Sequence, residues 1–106
     1  MEINNRKTVF ISGKVTGTTD YRERFAAAER IINGIPGFIA VNPIKVHDGI
    51  PEGAFYRLYM DVSLVLLDYC EVIYMLPGWE DSLGAQEERK FAEENGIRIV
   101  EDLEDL

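Results

Sequence analysis

Three carboxylates stand where they could do chemistry. Asp81 and Glu87 lie six residues apart in Val72-Ile-Tyr-Met-Leu-Pro-Gly-Trp-Glu-Asp-Ser-Leu-Gly-Ala-Gln-Glu-Glu-Arg-Lys90, which passes from apolar to glycine-containing to charged. Read as strand, loop and helix, that order puts Glu87 in the first turn or so of the helix, at the mouth of a cleft beyond the strand end. Amide dipoles at a helix start favour negative charge, which suits a nucleophile that must be ionised. Asp61 belongs to an earlier helical segment, one turn after Arg57, which can pair with it. Two such carboxylates can cleave a glycosidic bond if they hold different protonation states. Each also has a plain reading: Glu87 as an acidic residue favoured near a helix start, Asp61 as part of a solvated helix face. Asp81 can cap the helix or hold a substrate hydroxyl. Glu88, one position further round, is expected to face away.

The elements that must position these groups follow from apolar runs and breakers. Residues 8–11, 38–41, 72–76 and 97–100 read as short strands. A helix follows Asp20, with Glu23 placed for a capping box, and ends at Asn33-Gly34. A second spans 54–69, with Leu58, Val62, Val65, Leu66 and Tyr69 as its apolar face. A third spans 84–95, with Ala85, Phe91 and Ala92 partly inward and Gly96 just past its end. Residues 44–53 read as an irregular loop and 101–106 as an acidic tail. The alternation predicts an α/β, flavodoxin/Rossmann-like three-layer fold, with a mostly parallel sheet of about four strands in one domain over 1–106. Loops 12–19, 42–53 and 77–83 should then converge at the carboxyl ends of the strands. Gly13 and Gly17 would let the first of these approach a ligand closely, and its amides could hold a phosphate. Neither Gly-x-Gly-x-x-Gly nor a P-loop is present. Trp79 could stack on a nucleobase or cover the underside of its own loop.

Composition narrows the classes. Nineteen acidic residues against eleven basic ones give a net charge of -8, which argues against a nucleic-acid polymer as partner. A single nucleotide needs only a few local donors and is not excluded. Cys70 is alone, so no disulfide framework is expected, and at a helix-to-strand junction it should be buried rather than reactive. The polar start, residues 1–7, lacks a signal-peptide core, and no apolar run is long enough to span a bilayer; a cytoplasmic location without membrane association is expected. His47 is the sole histidine and has no matched partner for a metal. The small size and the aromatic second helix, with Tyr56, Tyr59, Met60 and Tyr69, suggest a subunit interface.

The chain resembles the nucleoside 2-deoxyribosyltransferase-like superfamily, most closely its small DUF4406-like branch. The resemblance rests on Phe10-Ile-Ser-Gly-Lys-Val-Thr-Gly17, Asn42-Pro43, Asp61 ahead of Glu71-Val-Ile-Tyr-Met-Leu76, and above all Pro77-Gly-Trp-Glu-Asp-Ser-Leu-Gly-Ala-Gln-Glu87. It implies N-glycosidic cleavage of a deoxynucleoside or its 5′-monophosphate, by hydrolysis or transfer. Glu87 would be the covalent nucleophile, Asp81 the sugar ligand, and Asp61 the group assisting protonation of the base. Substrate-binding roles would fall to Ser12, Gly13, Gly17, Asn42, Trp79 and Gly84, with Ser12, Gly13 and Gly17 on the 5′-phosphate. No metal or organic cofactor would be needed, and a homodimer or larger assembly would be expected. Glu88-Arg89-Lys90 after the nucleophile, and the short chain after the fourth strand, depart from typical transferases. The same cleft could also serve a non-catalytic module that binds a nucleotide or other metabolite.

Overall fold

The computed structural model describes residues 6–106, so the first five residues of the polar start lie outside the described residues. Four strands, β1 (Lys7–Ser12), β2 (Phe38–Val41), β3 (Val72–Met75) and β4 (Arg98–Val100), form one parallel sheet in the order β2-β1-β3-β4. The order reverses between β1 and β3, so the chain leaves these two central strands in opposite directions. A crevice opens at such a switch point, beyond the carboxyl ends of the strands.

Alternation along the strands decides which helix each side chain meets. Val9 and Ile11 of β1, with Val72 and Tyr74 of β3, pack on Phe25, Ala28 and Ile32 of α1 (Tyr21–Asn33). Phe10, Ile73 and Met75 face the other way, onto Leu67 of α3 (Tyr56–Asp68) and Ala85 and Ala92 of α4 (Leu83–Glu94). The result is a three-layer α/β fold. Ser12, at the end of β1, is fully buried, and by the same alternation it lies on the α3/α4 side.

Several local expectations are corrected. Residues 43–47 are not loop but a short helix, α2 (Pro43–His47). Pro43 is pre-set for a first helical position and Asn42 Oδ1 caps it by accepting from Ile44 N at 3.1 Å. Asp20 stands at the N-cap of α1 but makes no capping bond; its carboxylate pairs with Arg24 at 3.1 Å instead. Ser82, not Asp81, caps α4, accepting from Ala85 N at 3.1 Å. The segment after β4 is no mere acidic tail: Leu103 and Leu106 pack on the α1-side core. The inward face of α3 is Met60, Ser63 and Leu67, whereas Leu58, Val65 and Tyr69 point to solvent. Gly96 closes α4 at φ +69°, as its position predicts. Among the described residues, no helix is long and apolar enough to cross a membrane.

Candidate functional site

A cleft of about 1060 Å³ lies at the switch point. Its walls are the loop after β1 (Gly13 to Thr16), the end of α2 (His47, Asp48), one face of α3 (Tyr56, Tyr59, Met60, Ser63) and the start of α4 (Asp81 to Ala85, Glu88). The loops expected to converge do so.

Glycines permit two close approaches. A Cβ on Gly13 would stand 2.8 Å from Leu76 Cδ1, so the loop can lie against β3 only without a side chain there. A Cβ on Gly84 would stand 3.2 Å from the Tyr56 hydroxyl and 3.3 Å from Met60 Sδ, where α4 meets α3. Both residues line the cleft, and both have this packing reason to be glycine.

The carboxyl at the foot of the cleft belongs to Glu88, not Glu87. Ala85, Glu88 and Ala92 form the buried stripe of α4, the i, i+3, i+7 spacing of one helix face. Glu88 is 7% exposed. Ser12 Oγ donates to its Oε1 at 2.6 Å, and the nearby Ser63 hydroxyl also favours its ionised form. His47 Nε2 lies 2.8 Å from Ser63 Oγ, and its ring meets Tyr59 edge-on with centroids 5.4 Å apart. Burial pushes the Glu88 carboxyl up to about 7, against the lowering effect of the two serine hydroxyls and with a further push from the neighbouring Glu87 charge. Burial also lowers the His47 pKa, partly offset by a hydrogen bond to the Tyr59 backbone and by the Asp48 charge.

Glu87 and Asp61 are brought together, but on the outer side. Arg57 bridges them, with Nε 2.8 Å from Asp61 Oδ1 and Nη2 2.6 Å from Glu87 Oε2. Their side chains are 35% and 63% exposed respectively, and neither lines the cleft. Asp61 instead borders a separate shallow groove with Leu64, Val65, Asp68 and Phe91. The expectation that Glu87 faces the cleft while Glu88 faces away is therefore reversed. The cause is helical phase: with Ala85 and Ala92 inward, position 88 shares their stripe and position 87 does not.

The other sequence-derived candidates divide. Asp81, Gly13 and Gly84 line the cleft, and Ser12 reaches it through Glu88. Gly17 sits at φ +81° in a turn away from the cleft lining. Asn42 is spent on capping α2 and on Glu29, to which its Nδ2 donates at 3.2 Å. Trp79 packs on the α3/α4-side core and donates from Nε1 to Glu101 at 2.9 Å, with the Arg89 guanidinium 4.7 Å from its ring centroid. It covers the underside of its loop rather than the cleft.

The cleft also holds polar groups that are not among the sequence-derived candidates, Glu88, Ser63 and Lys14 among them. At the cleft mouth Arg22 of α1 reaches across to Asp48, making two bonds at 2.7 and 2.9 Å. Chemically, the site offers one buried, hydroxyl-bound carboxyl beneath a polar opening with cations at its rim. Among the described residues no cluster of His, Cys, Asp and Glu is arranged to hold a metal ion.

No curated protein matches the sequence. A family model described as a domain of unknown function (DUF4406) matches residues 7–101, nearly the whole α/β unit, and the chain belongs to that family.

Proposed function

We propose that this protein cleaves the N-glycosidic bond of a deoxynucleoside or deoxynucleoside 5′-monophosphate, with Glu88 as the attacking carboxylate. Membership of the wider nucleoside 2-deoxyribosyltransferase-like superfamily is part of the same proposal. The observation that carries it is the Glu88 carboxyl itself, buried at the foot of a cleft at the sheet's switch point and held by Ser12. Burial leaves an ionised carboxylate poorly solvated and basic, hence a stronger nucleophile than one on the surface.

In the reaction, a Glu88 oxygen bonds to C1′ as the C1′–N bond breaks. The bonding pair leaves with the base, which takes up a proton. Water, or a second base, then displaces Glu88 from C1′ and restores the carboxylate, so configuration is retained. A 5′-phosphate would be met by the loop from Gly13 to Thr16, including Lys14, which lines the cleft wall. Moving the nucleophile by one residue moves its six-residue partner from Asp81 to Ser82; both line the cleft. Asp61, behind Arg57, takes no part.

The test is to incubate the protein with a panel of deoxynucleosides and their 5′-monophosphates and to follow free base by chromatography. Glu88→Gln is expected to reduce base release by about 10³-fold or more, as for loss of a group acting in the chemical step. Glu87→Gln should retain most of it. Equal activity in wild type and Glu88→Gln removes the mechanism. Ligand binding in calorimetry with no base released by the wild type would favour a non-catalytic binding module. We also propose that the exposed apolar face of α3 is covered by a second copy of the chain.

A further inference from the structure

The charges that line the cleft bear on which substrate it takes. Among the described residues its walls carry two cations, Lys14 and Arg22, against four carboxyls, Asp48, Glu52, Asp81 and Glu88. His47 adds no positive charge at neutral pH, because burial lowers its pKa. The chain as a whole carries a net charge of -8. An anionic group therefore approaches against the field of both the molecule and the cleft.

Arg22 does not redress the balance. Its Nη1 and Nη2 donate to the two carboxylate oxygens of Asp48 at 2.9 and 2.7 Å. This is the two-bond grip by which a guanidinium also holds a phosphate. The Tyr21 ring lies beside it, with the guanidinium carbon 5.4 Å from the ring centroid. The donors that would meet a phosphate are thus taken by a carboxylate of the chain itself. The two side chains are 58% and 50% exposed, so the pair opens at little cost. Opening it still gains a phosphate little: Arg22 is released, but Asp48 is left unpaired at the same mouth. Together the two residues present no net charge, whichever partner Arg22 takes. Lys14 then stands, among the described cleft residues, as the one cation outside an ion pair, set against Glu52, Asp81 and Glu88. The start of α4, whose amides would favour an anion, already has the Asp81 carboxylate just ahead of its cap.

We propose that Asp48 is a specificity-determining residue: by holding Arg22 at the cleft mouth it reserves the site for an uncharged deoxynucleoside over its 5′-monophosphate. This choice rests on the reading of the cleft as a site of N-glycosidic cleavage and narrows the substrate to one of two classes. Rejection comes from placed like charge, not from want of room in about 1060 Å³. The same lining suits the reaction, because positive charge develops on the sugar as the base departs. Carboxylates along the cleft favour that transition state and oppose a phosphate by one and the same field.

The experiment compares kcat/KM for a deoxynucleoside and for the 5′-monophosphate of the same base, with the full-length protein. In the wild type the nucleoside should lead by about tenfold or more at low salt, the size of one unit-charge contact at a half-exposed site. The lead should shrink as added salt screens the cleft. Asp48→Asn frees Arg22 and removes a negative charge, so the ratio should fall by about tenfold. Arg22→Gln leaves Asp48 bare and should raise it. Both changes together restore a pair of no net charge and should bring the ratio back near its wild-type value, which a role in shape alone would not do. Both positions are exposed, and circular dichroism checks that the variants fold. A wild type that uses the monophosphate as well as the nucleoside, or better, overturns the proposal, as does a ratio unmoved by Asp48→Asn. If neither compound releases base, the enzymatic reading falls, and selectivity is read from calorimetric affinities for the same two compounds. Tighter binding of the nucleoside, reversed by Asp48→Asn, would then uphold the role of Asp48 alone. Equal or tighter binding of the monophosphate, or binding of neither, would sink that role as well.

Discussion

At the scale of single residues, Glu88 is held at a cost to the fold. Its carboxyl sits at about 7 in the folded protein against an ordinary 4.5. Between those values the unfolded chain has ionised Glu88 while the folded chain keeps it protonated. A group raised in this way contributes fully below about pH 4.5, and its contribution is lost as pH rises through about 7. The shift is worth about 3 kcal/mol at most. Urea unfolding between about pH 5 and 8 should show wild-type stability falling across this window. In Glu88→Gln, a neutral side chain of the same shape, that fall should be absent, and above pH 7 the variant should be the more stable by up to about 3 kcal/mol. Parallel stability curves for the two proteins would show that Glu88 is not held as described. The same titration bears on activity with the opposite slope. An attacking carboxylate must be ionised, so base release should rise with pH through about 7. Stability and rate would then cross over one proton, a trade-off common where a functional group is kept in a poorly solvated place.

At the scale of elements, the loop after β1 depends on what Gly13 lacks. A methyl group there would press on Leu76 at the end of β3, with both Cδ1 and Cβ within 3.0 Å. Gly13→Ala should therefore destabilise by about 1–3 kcal/mol, the usual cost of overpacking. That is a fall of roughly 4–8 °C in melting temperature per kcal/mol for a chain of this size. A melt within a degree of wild type would show that the loop can lift away without loss. Elements of this kind were largely legible in the sequence, because four apolar runs alternating with helical patterns leave few topologies open. The end of β1, the α4 start and their meeting at a cleft followed from that alternation. What failed was phase within a helix. Ala85 and Ala92 were read as inward, and position 88 lies three residues from one and four from the other, so the buried carboxyl was within reach of the pattern. Chemical expectation points instead to Glu87, an acidic residue close to the helix start, with Glu88, one position further round, facing away. Ser63 carried no signal at all, since a serine on a helix gives no hint of a partner 16 residues back. Asn42 and Trp79 show the reverse error, side chains assigned to a ligand that the fold uses for a cap and for covering a loop.

At the scale of the whole molecule, α3 is apolar on two sides. Met60, Leu64 and Leu67 turn to the sheet and α4, which accounts for one side. Leu58 and Val65 stand seven residues apart on another and are 45% and 61% exposed, with Tyr69 beyond them at 83%. Leu58, Val65 and Tyr69 belong to the face the sequence pattern predicts as the core side, of which Leu66 does pack on the core. The difference has a physical reason: a helix apolar on two sides cannot reveal by periodicity which side meets its own sheet. Phe55 and Leu83 extend the exposed surface toward the cleft entrance, where Tyr56 is part of the wall. A monomer rarely leaves so much contiguous apolar surface to water, and a chain of this length gains from sharing a core with another. If a second copy covers this row, wild-type protein at micromolar concentration should sediment as a dimer or larger. Val65→Asp with Leu58→Glu should shift it to monomer without unfolding it, because neither side chain contributes to the packed side of α3. The like-charged additions also join an already acidic molecule of net charge -8, so self-repulsion would reinforce the separation. Because the row runs up to Tyr56, dissociation should also lower base release at the cleft. A wild-type protein that stays monomeric at every concentration by sedimentation velocity would leave the row to be explained by something other than its own copy. A variant that turns monomeric yet keeps full activity would show that each cleft is complete within one chain.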